Sequence, residues 1–169
     1  MNRPKLISIA LWAAIVSGIA WQKTAFAQQY LWGASATASS GVEGGSQGSL
    51  LRTRTRLRLG GDVRIDEAPD NIVAFGLLAE VEPRAGLGAD ARFVRTVGER
   101  FIVDAGVLGI LAPASLYGAC AGLTYRLPIA RRAQAVLGPE MDVYFLGTDL
   151  PDGTVFWELR FQGGFRVDL

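Results

Sequence analysis

Two closely spaced pairs of acids are the residues of this chain whose types and spacing could do chemistry. Glu80 and Glu82, like Glu140 and Asp142, stand two positions apart, so in a strand each pair shares one face of the sheet. Two neighbouring carboxyl groups can divide acid, base and nucleophile roles between them. Carboxylates in structural ion pairs mimic such sites, and this chain is rich in arginine. We therefore interpret both pairs as ion-pair partners rather than as a catalytic dyad.

The arginines available to these acids lie in the stretch LRTRTRLRLGGDVRID, residues 51–66. Its even positions from 52 to 58 are all arginine, and its odd positions are mainly leucine and threonine. Because successive side chains of a strand point to opposite faces, one face of this element is charged and the other is largely apolar. The same phase in the other strands predicts an ion-pair network on one face of the sheet, formed by Arg52, Arg54, Arg56, Arg58, Glu80, Glu82, Glu140, Asp142, Glu158 and Arg160.

Other kinds of catalytic or metal site lack their residues. The chain has no histidine, which excludes lipid deacylases, acyltransferases and omptin-like proteases that use a histidine base and also histidine-based zinc or haem sites. The acidic segment 147–153 lacks the ligand spacing of a calcium loop. A single cysteine, Cys120, cannot form an internal disulfide. We predict no catalytic residue, no metal site, no cofactor and no enzymatic activity.

Residues 1–27 have the pattern of a secretory signal peptide. Basic residues at positions 3 and 5 precede an apolar run over 6–21, and Ala-Phe-Ala follows at 25–27 as a cleavage site. A membrane anchor is the competing interpretation, but the run is shorter than the roughly 20 residues that span a bilayer as a helix. We predict cleavage near Ala27 and a single mature domain over 28–169.

The composition of that domain gives no sign of a nucleic-acid partner. Without Arg3, Lys5 and Lys23, the 17 basic residues fall to 14 arginines, against 16 acidic residues. The mature chain is therefore close to neutral, whereas nucleic-acid binding needs a basic surface.

Segments with a period of two recur along the mature chain, and none holds a 3.6-residue apolar period. We predict strands at 29–38, 50–65, 71–82, 87–96, 100–110, 116–126, 132–145 and 154–169. The segments between them, including GVEGGSQGS at 41–49, carry the residues that turns need and are short enough for antiparallel neighbours. The predicted fold is all-β, an eight-stranded antiparallel up-and-down barrel.

Two features favour a barrel with lipid outside and the charged face inside. Glycines alternate with the charges, which suits a narrow lumen filled by side chains, whereas glycine on a soluble outer face only weakens a strand. Aromatic residues near strand ends are typical of interfacial girdles: Tyr30, Trp32, Tyr117, Tyr125 and Trp157. An arginine facing lipid at the midplane would cost roughly 2–4 kcal/mol. We therefore predict that the arginine row faces the lumen.

The last residues, QGGFRVDL, resemble the C-terminal assembly signal of outer-membrane β-barrels. That signal has a polar residue, a glycine two positions on, and hydrophobic residues at the third-last and last positions; Gln162, Gly164, Val167 and Leu169 match it, with Leu in place of the commoner Phe. Over 29–169 the chain resembles the eight-stranded outer-membrane barrels of the OmpA and OmpX type. The resemblance implies a transmembrane barrel in the bacterial outer membrane, surrounded by outer-membrane lipid and inserted by the barrel-assembly machinery.

The expected function is then a structural or interaction role in the cell envelope, with a closed lumen and an envelope protein as a possible partner. The alternative is a soluble periplasmic or secreted barrel of lipocalin type that binds a small apolar ligand in an apolar cavity. The two differ in which face of the arginine-rich strand is inside.

Overall fold

Two-residue alternation along the chain produces eight antiparallel strands that close into a barrel. The computed structural model describes residues 30–45, 48–65, 68, 70–148, 150 and 153–169. Each strand pairs with its chain neighbours, and the last pairs with the first, which confirms the predicted all-β up-and-down barrel. The strands are β1 Tyr30–Gly45, β2 Gly48–Ile65, β3 Asn71–Glu82, β4 Gly86–Val97, β5 Phe101–Ala112, β6 Leu116–Pro128, β7 Ala133–Gly147 and β8 Phe156–Asp168.

The barrel has two distinct ends. At the terminal end β1 begins and β8 ends, and this end also carries the connections over 98–100 and 129–132. At the distal end β1 ends and β8 begins, and this end also carries the connections over 83–85 and 113–115. No helix in the described residues is long and apolar enough to cross a bilayer. The predicted signal peptide, 1–27, lies outside the described residues.

The first hairpin is longer than predicted, so the expectation of a loop over 41–49 is wrong. β1 continues to Gly45 and β2 starts at Gly48, because the glycines here serve close approach to β8 rather than a turn. A Cβ on Gly41 would lie 2.0 Å from the Leu159 carbonyl oxygen, and one on Gly44 would lie 2.6 Å from the Trp157 ring. β1 and β2 have 16 and 18 residues, whereas β3, β4 and β5 have 12 each.

The arginine-rich face of β2 lies inside the barrel. Arg54 and Arg56 are 6% and 2% exposed, whereas Leu57 and Leu59 are 47% and 65% exposed. The interior therefore does not form the apolar cavity that a lipocalin-type barrel requires. Large apolar side chains project outward on every strand, including Val42, Leu57, Leu59, Val73, Phe75, Leu77, Leu87, Phe93, Val103, Val107, Leu123, Met141, Leu159, Phe161 and Phe165.

A small apolar cluster fills part of the interior towards the distal end. Its buried members come from β3, β5, β6 and β7, and Leu150 and Phe156 pack against them. The cluster comprises Leu78, Leu108, Ile110, Leu116, Cys120 and Tyr144. Cys120 therefore packs as a small apolar residue, and charged side chains lie beside the cluster in the lumen.

Candidate functional site: the charged lumen

A compact group of charged side chains, here called the distal network, fills the lumen beside the apolar cluster. Its members come from β1, β2, β3, β7 and β8 and are nearly inaccessible to solvent. They are Arg54, Arg56, Arg160, Glu43, Glu80, Glu140, Asp142 and Glu158. Buried charges are tolerated only when they are paired and hydrogen-bonded, so the contacts of each arginine decide whether the group is stable.

Arg56 is the centre of the distal network. Its Nη1 donates to Asp142 Oδ2 at 2.6 Å. Its Nη2 donates to Glu80 Oε1 at 2.6 Å and to the Tyr144 hydroxyl at 2.5 Å, and lies 3.1 Å from Glu158 Oε2. Glu80 stands directly across the β2–β3 ladder from Arg56, but the other partners lie on β7 and β8, across the lumen. One guanidinium therefore ties together four strands of the wall.

Arg54 extends the distal network towards the distal end. Its Nε donates to Glu43 Oε2 at 2.7 Å, and its Nη1 donates to Glu80 Oε1 at 3.0 Å and to Glu158 Oε1 at 2.5 Å. The guanidinium carbon also lies 5.3 Å from the centre of the Phe156 ring, within the range of a cation–π contact. The charge of Arg54 is thus compensated on all sides.

Arg160 completes the distal network from β8. Its Nη2 donates to Asp142 Oδ2 at 2.7 Å and lies 3.2 Å from Glu140 Oε1, and its Nη1 contacts Glu158. Across the β7–β8 ladder, Glu140 faces Arg160 and Asp142 faces Glu158. The two acids therefore stand next to each other, and the arginines from β2 and β8 neutralise them.

A second layer lies closer to the terminal end and is built around Asp90. Arg58 donates to both Asp90 oxygens, at 2.8 and 2.9 Å, and Arg92 Nε donates to the same carboxylate at 2.8 Å. Arg92 also donates to Asp104 at 3.0 Å and to Glu140 at 2.6 Å. Because Glu140 contacts both Arg92 and Arg160, this layer is continuous with the distal network.

The structure brings eight of the ten residues of the sequence-predicted network into these two layers and leaves Arg52 and Glu82 outside them. Arg52 is exposed at the distal mouth. Glu82 is exposed as well and accepts a hydrogen bond from the Thr55 hydroxyl at 3.3 Å. The β2–β3 register shifts between Thr55 and Arg56. That irregularity places Glu82 opposite Thr55 rather than opposite an arginine, so the predicted lumen position of Glu82 is wrong.

The ten-residue network predicted from the sequence does not include five residues that carry contacts in these layers, although the same alternation assigned three of them, Asp90, Arg92 and Asp104, to the polar face. Glu43 lay in a predicted loop, although Val42 and Glu43 continue the alternation and end up 39% and 4% exposed. Tyr144 lies two positions from Asp142 and so shares its face of the strand, which could have predicted its place in the lumen. Arg92 shares the polar phase of β4, but no local pattern indicates that it meets Glu140 on β7. The other two are Asp90 and Asp104.

The residues of the predicted assembly signal divide between the two faces of β8. Gln162 is buried and donates to the Thr124 hydroxyl at 3.1 Å, and a Cβ on Gly164 would lie 2.1 Å from a β1 carbonyl oxygen. Val167 and Leu169 are on the exterior, 41% and 70% exposed. Their role in assembly stays a prediction.

In this arrangement the charged side chains bind one another rather than a ligand. Asp142 and Glu158 are fully inaccessible, and each is held by two or more arginine nitrogens. No group of three or more His, Cys, Asp or Glu among the described residues is placed to hold a metal ion. Breaking such a pair by removing one partner is strongly destabilising, so the two layers act as internal cross-links between opposite sides of the wall.

Comparison with known proteins assigns no family to this chain. No protein-family model and no curated protein matches the sequence. Among solved structures, the chain is similar to the crystal structure of Neisserial surface protein A, with a TM-score of 0.48 and 14% sequence identity. The alignment covers 80% of this chain and 96% of that one. The class defined by fold and site is a closed eight-stranded antiparallel barrel with a charged interior and an apolar exterior.

Proposed function

We propose that this chain is a small integral outer-membrane β-barrel of the bacterial envelope. The carrying observation is the inverted distribution of side chains, with Leu59 65% exposed on the outside and Arg56 2% exposed on the inside. Soluble monomers rarely expose continuous apolar patches beyond a few hundred square ångströms, whereas an apolar band around a barrel matches hydrocarbon. Closure also supports the proposal, since a sheet in lipid cannot leave backbone groups unpaired.

The positions of aromatic side chains support an interface at each end of the band. Trp32, near the start of β1, is 57% exposed, and Tyr117, near the distal start of β6, is 44% exposed. At the terminal end Phe101 and Tyr125 pack edge to face with ring centres 5.3 Å apart, and the Tyr125 hydroxyl accepts a hydrogen bond from Arg100 at 2.9 Å. A ring with an apolar body and a polar tip suits the headgroup level of a bilayer.

In this proposal the lumen is closed rather than a pore. An eight-stranded barrel leaves an interior just wide enough for side chains, and here the apolar cluster and the distal network occupy the same half. The reconstituted protein is therefore expected to give no steady ion conductance in a planar bilayer. Stable single-channel steps from folded protein would argue against a closed lumen without affecting the membrane location.

The role is structural or interactional and not enzymatic. Outer-membrane lipid would surround the apolar band, and the barrel-assembly machinery would insert the chain through its C-terminal strand. The distal rim is the place for an envelope protein partner, because the long first hairpin reaches it and its outer face is polar: Ser40, Thr55 and Glu82 form a hydrogen-bonded row.

The test is to express the full-length chain in a Gram-negative host and separate the membranes. The protein should appear in the outer membrane, begin at Gln28, and migrate faster on gels before boiling than after it. Recovery in the soluble periplasm, with no difference on boiling, would overturn the proposal.

A further inference from the structure

The terminal half of the lumen contains a cavity that the two charged layers do not fill. Its volume is about 90 Å³, and its charged lining consists of four arginines and two carboxylates: Arg58, Arg92, Arg126, Arg166, Asp62 and Asp104. Apolar side chains from β3, β4, β5 and β7 form much of the remaining wall. Charges in such a wall are screened less than charges in open water.

The arginines that line the cavity are not equally compensated. Arg166 donates to both oxygens of Asp62, at 3.0 and 2.7 Å, and to Asp168 at 2.5 Å. Arg126, by contrast, is only partly buried and has no ion pair within the described residues. Its Nε lacks a hydrogen-bond partner there, as do the Nε atoms of Arg56 and Arg160. Arg64, on β2, lies outside the lining but likewise has no ion pair within the described residues.

The two uncompensated arginines also lie close to a third. Arg64 and Arg166 repel the charge of Arg126, and the carboxylates of Asp168 and Asp70 attract it. Because Arg126 and Arg64 have no ion pair within the described residues, positive charge is left at the terminal end of the lumen, next to a cavity. In the distal network, three arginines face five carboxylates.

The donors around the cavity suit an oxyanion. A guanidinium presents paired N–H groups in a planar fork that matches phosphate and carboxylate oxygens, and Arg126 has an Nε to offer. The Thr124 hydroxyl, which also lines the cavity, already accepts a hydrogen bond from Gln162, so its own proton is available to a ligand.

We propose that this cavity binds one small oxyanion of the phosphate class, with Arg126 as its direct ligand, Arg166 held beside it by Asp62, and Arg64 adding charge from the terminal end. The volume suits a small tetrahedral ion. The oxyanion is either free phosphate or the phosphodiester of a lipid headgroup inserted from the terminal end. The site depends on the barrel and not on its membrane location, so it can fail or succeed independently of the proposed function.

The test titrates inorganic phosphate into the mature protein, refolded in a phosphate-free neutral detergent, and follows binding by calorimetry. Wild type should bind saturably, and Arg126→Gln should bind at least tenfold more weakly. Arg100→Gln is the matched control, because Arg100 is exposed at the same end of the barrel and its side chain hydrogen-bonds only to Tyr125 among the described residues; it should bind like wild type.

Folding is checked for each variant by the gel shift on boiling, and Arg64→Gln provides a second variant if Arg126→Gln does not fold. Short-chain phosphatidylglycerol is then added as a competitor, with short-chain phosphatidylcholine for comparison. Displacement of phosphate by phosphatidylglycerol supports the site and assigns a lipid source, and the absence of displacement supports the site with free phosphate as the ligand. No saturable phosphate binding, or equal binding by wild type and folded Arg126→Gln, would overturn the proposal.

Discussion

The two halves of the lumen compensate arginine charge in different ways. In the distal half each arginine meets three carboxylates, as Arg56 does with Glu80, Asp142 and Glu158. In the terminal half Arg126 meets none within the described residues. The distal half is cross-linked by ion pairs between strands, whereas the terminal half contains an arginine without one within the described residues.

The largest expected effect comes from breaking the distal network at its centre. Arg56→Met leaves three buried carboxylates short of a partner and should lower the free energy of unfolding by about 3–5 kcal/mol. Urea unfolding of the refolded protein, followed by tryptophan fluorescence, measures the change. Arg52→Met is the control, because Arg52 is exposed at the mouth and should shift stability by no more than about 0.5 kcal/mol. Equal midpoints for the two variants would refute the importance of the network.

The outer surface gives the next largest effect. Leu59→Arg puts a charge on the apolar band and should cost roughly 2–4 kcal/mol in lipid if Leu59 lies near the midplane. Unfolding in phospholipid vesicles measures this cost. Glu82→Arg is the matched control, since position 82 already carries an exterior charge and should tolerate another. A Leu59→Arg protein as stable in vesicles as wild type would mean that this face does not contact hydrocarbon.

A smaller effect is expected from removing one hydroxyl of the distal network, which also donates to Asp142 Oδ2 at 3.5 Å. Tyr144→Phe removes the hydroxyl that accepts from Arg56 at 2.5 Å and should cost roughly 1.5–3 kcal/mol, as for hydrogen bonds to charged groups. The exposed Tyr117 gives the comparison, because Tyr117→Phe changes only the outer surface. The same urea unfolding applies, and a Tyr144→Phe midpoint equal to that of Tyr117→Phe would show that the bond adds nothing.

The smallest loss of stability is expected when an arginine of the terminal half is replaced by methionine, as Arg56 is in the distal half. Arg126→Met breaks no ion pair and relieves repulsion from Arg64 and Arg166. In phosphate-free buffer it should therefore cost no more than about 0.5 kcal/mol. A loss of unfolding free energy as large as that of Arg56→Met would show that the two halves do not differ in how much their arginines stabilise the barrel.

Much of the barrel could be predicted from the sequence because a period of two fixes which side chains share a face. That is why Arg54 and Arg56 were assigned correctly to one side of β2 together with Glu80. The same rule gives no contacts across the lumen: Arg56 meets Asp142 only because closure brings β2 opposite β7, and no local pattern encodes that distance. The terminal cavity escaped prediction for the same reason.

Two irregular features of the strands were predicted wrongly from the sequence: the role of the glycines in β1 and the register between β2 and β3. Gly41 and Gly44 look like turn residues, yet they allow close packing against β8, and only the three-dimensional neighbours Leu159 and Trp157 reveal this. The β2–β3 shift beside Thr55 reversed the expected position of Glu82, since a one-residue slip exchanges the two faces of a strand.

The arginine face of β2 lines the lumen, and we propose that its leucine face contacts lipid. Nitroxide labels at Leu57→Cys and Leu59→Cys, each in a Cys120→Ala background and reconstituted in vesicles, test it through collision with oxygen and with a water-soluble nickel complex. A third label at Arg84→Cys, in the β3–β4 connection, marks full access to water. The account predicts high oxygen and low nickel accessibility at both leucine positions. Nickel accessibility at Leu57 and Leu59 equal to that at Arg84, in protein that still shifts on boiling, would contradict it.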